Sequence, residues 1–249
     1  MPGYYPAFLN LHSRRVVVVG GGPVAQRKVA SLLETGANIT VISPQLTAEL
    51  ERSVDAGKVT LRHREYRAGD MEGAYLAIIA TDDRDLNRQA ASEARAAHVL
   101  VNTVDDVTFC DFIAPAVVQR GEITLAVSTN GKSPAMARFL RTRLEEFLTS
   151  DYADLLEVLE RVRRELRRRG AKVDPERWQE QIDDGLLDLI AMDELPAAEQ
   201  RLLDGLLETA GADPYAGSQH RGSGGQAPAL QPDKTAAFPK EETIKRVRG

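Results

Sequence analysis

From Arg15 onward, short apolar runs alternate with stretches whose apolar residues fall three or four positions apart, which predicts parallel strands joined by crossover helices. The first run covers residues 16–19. It leads through Gly20-Gly21-Gly22-Pro23-Val24-Ala25 into a helix whose apolar residues Ala25, Val29, Leu32 and Leu33 share one face, with Gly36 as its stop. Further strands are predicted over 39–42, 59–61, 74–80 and 99–104, and further helices over 47–56 and 86–97. This order is that of a Rossmann-like sheet.

After Asp111 the pattern changes to two β-prone runs, 112–118 and 123–127, joined by a turn at Gln119-Arg120-Gly121. A helix should then start with Ser133 as N-cap and Pro134 at its first position. Its residues Met136, Phe139, Leu140, Leu144, Phe147 and Leu148 form one apolar stripe, suited to packing on a partner surface such as another subunit. Helical patterns continue over 151–169 and, more weakly, 175–210. From Asp213 the chain turns rich in Gly, Ser, Pro and Gln, and a disordered tail is expected. The fold class is therefore α/β: a Rossmann-like parallel sheet over 1–112, a small α+β dimerisation and substrate region over 113–150, a helical C-terminal region over 151–212, and a tail over 213–249.

Composition narrows the function classes. Hydrophobic residues make up 43% and charged residues 28% of 249 positions, as in soluble globular proteins with a sizeable core. A net charge of −5 argues against a general nucleic-acid binder. One cysteine, Cys110, allows no internal disulfide and no thiolate metal set, so a reducing, cytoplasmic compartment fits. No secretory signal and no membrane-spanning window is visible, and a soluble protein is expected. His12, His63, His98 and His220 lack ligand spacing and read as structural or solvated.

The glycine cluster fits a dinucleotide fingerprint, with Gly20 permitting the tight turn, Gly22 letting the backbone approach a pyrophosphate, and Ala25 allowing close helix–strand packing. An ordinary strand-to-helix turn is the alternative, and the cluster's place between an apolar strand and an amphipathic helix near the N-terminus favours the fingerprint. The acid that usually binds ribose after the second strand is missing, because Ser43-Pro44-Gln45 stands there; Ser43 can bond a hydroxyl, and no arginine in that loop awaits a 2′-phosphate, which favours NAD over NADP. Strands four and five end at Thr81-Asp82-Asp83 and Asn102-Thr103-Val104-Asp105-Asp106, on the edge where open parallel sheets bind ligands. Asp82 and Asp83 read equally as helix caps or crevice residues, whereas Asp105 opens no evident helix and points to a crevice role. Between Arg120 and Arg143, Arg120, Lys132, Arg138, Arg141 and Arg143 are opposed only by Glu122, which suits either a solvated face or a multiply anionic substrate.

These residues, with Pro6-Ala7-Phe8-Leu9-Asn10-Leu11, Val24-Ala25-Gln26-Arg27-Lys28, Ala80-Thr81-Asp82-Asp83, Asn102-Thr103-Val104-Asp105, Phe112-Ile113-Ala114-Pro115-Ala116 and Gly131, Ser133, Pro134 and Ala137, resemble the precorrin-2 dehydrogenase and sirohydrochlorin ferrochelatase family, the N-terminal module of siroheme synthase. The resemblance runs from Tyr5 to about Gly170. It implies NAD-dependent oxidation of precorrin-2 to sirohydrochlorin, in some members followed by Fe²⁺ insertion, and an intertwined homodimer; charge and hydropathy, for their part, argue against nucleic-acid and membrane partners. Carried onto this chain, it puts Gly20, Gly22, Pro23, Val24, Ser43, Pro44, Gln45, Thr81 and Asn102 around the nucleotide, Asp105 in the chemistry, and Ser128, Gly131, Lys132, Ser133, Arg138 and Arg141 near a substrate bearing eight carboxylates. No resident metal is implied. The fused methyltransferase of some siroheme synthases is not expected within this length. Two other readings stay open: a member keeping a single activity, and an NAD-sensing regulatory module without catalysis.

Overall fold

The computed structural model describes residues 3–104 and 106–208, so Asp105 and the expected tail lie outside the described residues. Five parallel strands, β1 (Arg15–Val19), β2 (Asn38–Ile42), β3 (Thr60–Arg62), β4 (Leu76–Ile79) and β5 (Leu100–Thr103), form one sheet in the order β3-β2-β1-β4-β5. Successive side chains of β1 point to opposite faces, and both are covered. Val16 and Val18 pack with Ala25, Val29 and Leu32 of α1 (Pro23–Leu33) and Leu50 of α2 (Ala48–Asp55), while Val17 and Val19 pack with Ala90, Ala91 and Ala94 of α3 (Arg84–Ala96). A parallel sheet buried on two faces explains why its strands read as continuous apolar runs. The chain steps from β1 to β2 on one side and places β4 on the other, which opens a crevice at the strands' carboxyl ends.

The Rossmann-like expectation is borne out, with strand ends shifted by one or two residues. The hairpin needs a larger correction. Its first strand, β6, is Ala116–Arg120 rather than 112–118, and it pairs antiparallel with β7 (Ile123–Val127) through Arg120 opposite Ile123. The turn is therefore Gly121-Glu122, with Gly121 at φ +53° supplying the positive dihedral that a two-residue hairpin turn favours. Residues 111 and 112 are tied back to β5, because Asp111 N–H donates to Val101 O and Asn102 Nδ2 donates to Phe112 O.

Helix α4 (Pro134–Phe147) starts as expected, with the Ser133 hydroxyl accepting from Met136 N–H. It packs on the hairpin yet buries none of its residues, and Met136, Phe139 and Phe147 stand 47%, 56% and 48% exposed. Beyond it, α5 (Ser150–Arg168), α6 (Pro175–Gln181), α7 (Asp184–Ala191) and α8 (Leu195–Leu207) enclose a separate core of Leu155, Val158, Val162, Leu186, Ile190, Leu202 and Leu206. Among the described residues, no helix is long and apolar enough to cross a membrane.

Candidate active site

At the end of β1 the three glycines have different tasks. Gly20 takes φ +112°, and a Cβ there would lie 2.2 Å from Ala80 O. Gly21 is as tightly confined, since its Cβ would sit 2.0 Å from Gln45 O and 2.7 Å from Ser43 Oγ. The fingerprint reading overlooked this position; only the fold of the β2 loop against it reveals the need. Gly22 is the N-cap of α1, with φ −80° and open space where a Cβ would be. Among the described residues no side chain caps α1; no acid occupies its first turn, and Pro23 sits at its start, so the helix presents unsatisfied N–H groups and positive potential to whatever enters that space.

The loop after β2 lines the next part of the crevice. Ser43 is buried, and its hydroxyl donates to Gln45 O at 2.6 Å, so it shapes the loop instead of standing free, while Pro44 and Gln45 are exposed. Pro44 O bonds His63 Nε2 at 2.9 Å, a structural role for that histidine. Arg62 and Arg64, at and just past the end of the neighbouring β3, are both held by the buried carboxylate of Asp70, with Arg64 at 2.7 Å. These guanidiniums hold the Asp70 carboxyl at about 2, below the usual carboxylate range.

On the far side, Thr81 Oγ1 donates to Asn87 Oδ1 at 2.6 Å and Asn87 Nδ2 donates back to Thr81 O at 2.9 Å. This fixes the β4 end beside the glycine turn, where Thr81 Cγ2 lies 3.5 Å from the Gly20 Cβ position. Asn87 carries no motif signature and was not among the sequence candidates. Asp83 is settled as a cap, accepting from Asp85 and Leu86 N–H, and Asp82 is exposed. Asn102 is buried and used to hold Phe112 O. Beside it, Thr103 N–H donates to Cys110 Sγ, and burial pushes that thiol upward, which leaves it protonated at neutral pH. Arg84, Asn87, Arg88, Thr103, Asp106 and Phe109 enclose a cavity of about 180 Å³ next to this strand end. The Thr108 hydroxyl and N–H keep the Asp106 carboxyl low and ionised.

Ser128, Gly131, Lys132, Ser133, Arg138 and Arg141 lie between β7 and α4 and on α4 itself, and α4 packs mainly on β6 and β7. Asn130 N–H donates to the Ser128 hydroxyl, Gly131 turns at φ +76°, and Ser133 caps α4, with Lys132 and Arg138 exposed. The excess of positive charge is smaller than the sequence count implied. Arg141 pairs with Glu145 at 3.0 Å and Arg143 with Glu146 at 3.5 Å, one turn further along the helix.

Residues 7–116 match a family model described as "Putative NAD(P)-binding", and residues 120–146 match one described as "Sirohaem biosynthesis protein central". A siroheme synthase of Nitrosococcus oceani is 38% identical over 209 residues, covering 83% of this chain and 44% of that protein. The chain is similar to siroheme synthases over most of its own length. Another siroheme synthase, from Photorhabdus laumondii, is 35% identical over 221 residues, or 85% of this chain and 47% of the relative. The chain thus spans less than half the length of these curated relatives. A solved structure, "SirC, precorrin-2 dehydrogenase", superposes with a TM-score of 0.64 at 26% identity, over 80% of this chain and 100% of the other.

Proposed function

We propose that this chain oxidises precorrin-2 to sirohydrochlorin with NAD as hydride acceptor. The observation that carries the reading is the uncapped start of α1 at the open Gly22 position, facing the same sheet edge as Thr81 and the β5 end, in a chain that aligns with the whole of a precorrin-2 dehydrogenase. Gly20, Gly22, Pro23 and Val24 would hold the pyrophosphate, with Pro44 and Gln45 along the ribose in a loop that Ser43 braces. Thr81 and Asn102 would shape the nicotinamide end. Bound NAD supplies the electron acceptor, and loss of a hydride from the substrate also requires loss of a proton, for which Asp105 is the proposed base. Discrimination against a 2′-phosphate would follow from Asp70, which pairs with Arg62 and Arg64 at the end of the strand beside β2.

Ser128, Gly131, Lys132, Ser133, Arg138 and Arg141 remain the proposed carboxylate partners. Their place on α4 and the loop before it, in a unit packed mainly on β6 and β7, fits a homodimer in which one subunit's α4 region closes the other's site, and the exposed apolar residues of α4 support that assembly. The proposed division is a nucleotide domain over 1–112, the dimerisation region over 113–150 and the helical region over 151–212, in a cytoplasmic enzyme. Fe²⁺ insertion into sirohydrochlorin belongs to the proposal as a second activity, favoured by relatives called siroheme synthases. Incubation with precorrin-2 and NAD tests the main claim. Sirohydrochlorin absorbance and NADH should rise in equal amounts; the absence of both overturns the proposal.

A further inference from the structure

The helical region contains a cavity of about 380 Å³ that the crevice chemistry does not use. This is at the lower end of small-molecule pockets, which run roughly 300–1,000 Å³. It is lined by the buried Leu166, the half-buried Ala171, Val173 and Trp178, and the exposed Pro175, Arg163 and Arg167. Those arginines are four residues apart on α5 and so share one face.

Charge pairing on α5 singles out the same two residues. Arg161 is paired with Glu157 and Glu199, Arg164 with Glu160, and Arg168 and Arg169 with Glu165. Arg163 instead stacks over the Trp178 ring at 5.4 Å, and Arg167 has no carboxylate partner among the described residues. Among the described residues, no acid lines the cavity. Two guanidiniums without acids, an indole and an apolar lining suit a ligand with an anionic group on a flat ring, because guanidinium forks bind carboxylate or phosphate while the ring covers apolar surface.

We infer that this cavity binds a ring-bearing anion of about mononucleotide size, with the anionic group across Arg163 and Arg167 and the ring against Val173 and Pro175 beside Trp178. A nucleotide phosphate and an aromatic carboxylate share this chemistry. Trp178 is the chain's single tryptophan, so its fluorescence reports the cavity directly. The experiment titrates the whole protein at constant ionic strength with AMP, with phenylacetate, and with inorganic phosphate as the ringless control.

A saturable change with AMP or phenylacetate is expected, and whichever binds identifies the source. Arg163→Gln/Arg167→Gln should weaken it at least tenfold, while Arg164→Gln/Arg168→Gln, which removes equal charge outside the cavity, should leave it within twofold. Circular dichroism checks folding, and Arg167→Gln alone serves if the double replacement misfolds. AMP held at the glycine loop instead would be insensitive to Arg163 and Arg167. That insensitivity overturns the inference, as do equal weakening in both double variants, an equal response to inorganic phosphate, or no saturable response. None of these readouts depends on dehydrogenase turnover.

Discussion

Replacing Gly22 by leucine and, separately, Gly20 by alanine should divide ligand binding from folding within one three-residue turn. At Gly22 the backbone has an ordinary φ of −80° and no described residue comes within 4 Å of a Cβ, so Gly22→Leu should change stability by less than about 0.5 kcal/mol. The new side chain would fill the space over the uncapped start of α1. Hydrogen bonds to a charged group contribute about 1.5–3 kcal/mol each, so losing one N–H contact to pyrophosphate should weaken Kd roughly 10- to 140-fold, and losing a second more. At Gly20, alanine meets both a φ of +112° and a backbone carbonyl at 2.2 Å, neither of which can yield without moving β4. That change should cost at least about 3 kcal/mol, or roughly 6–12 °C in Tm for a domain of this size. Calorimetric titration with NAD and thermal melts of both variants provide the assay. Gly22→Leu binding NAD within threefold of the parent, with an unchanged Tm, would refute the cofactor assignment; a Gly20→Ala melt within 1 °C or so of the parent would refute the packing argument.

Asp105→Ala should lower dehydrogenase turnover by about 10²–10⁴-fold, the usual contribution of a general base, while NAD affinity stays within a few-fold in the same titration. Phe139→Asp/Leu140→Asp should convert a homodimer into monomers or aggregates and abolish activity, as read by light scattering; a stable, active monomer would show that the stripe packs within its own subunit. The folded Asp70 carboxyl lies near 2 against an ordinary 3.8, so its contribution, about 2 kcal/mol, is full above pH 4 or so and lost as pH falls through about 2. Asp70→Asn should therefore lower stability at pH 7 by about that amount and flatten the acid limb between these values in denaturant titrations. With Arg62 and Arg64 freed, it should also narrow the preference for NAD over NADP in Kd measurements.

Most of the Rossmann-like sheet was readable from local pattern alone. Strands covered on both faces must be apolar at every position, as in Val16 to Val19, and helices that cover them must show an apolar face, as in Ala25, Val29 and Leu32. Helix starts were equally local, because Ser133 and Asp83 satisfy N–H groups only two or three residues away. The hairpin was misplaced because β-propensity over 112–118 is a local signal, whereas the bonds that tie Asp111 and Phe112 to β5 join residues about ten positions apart. Gly21 and Asn87 stayed hidden for the same reason: what confines them is Gln45 O and Thr81, brought close by the sheet. Charge was misread in one place, where Glu145 and Glu146 neutralise arginines one helical turn earlier. Only tertiary structure decides which groups are already occupied, as Ser43, Asn102, Arg62 and Arg64 are, and which remain for a ligand, because occupancy depends on distances that no spacing along the chain records.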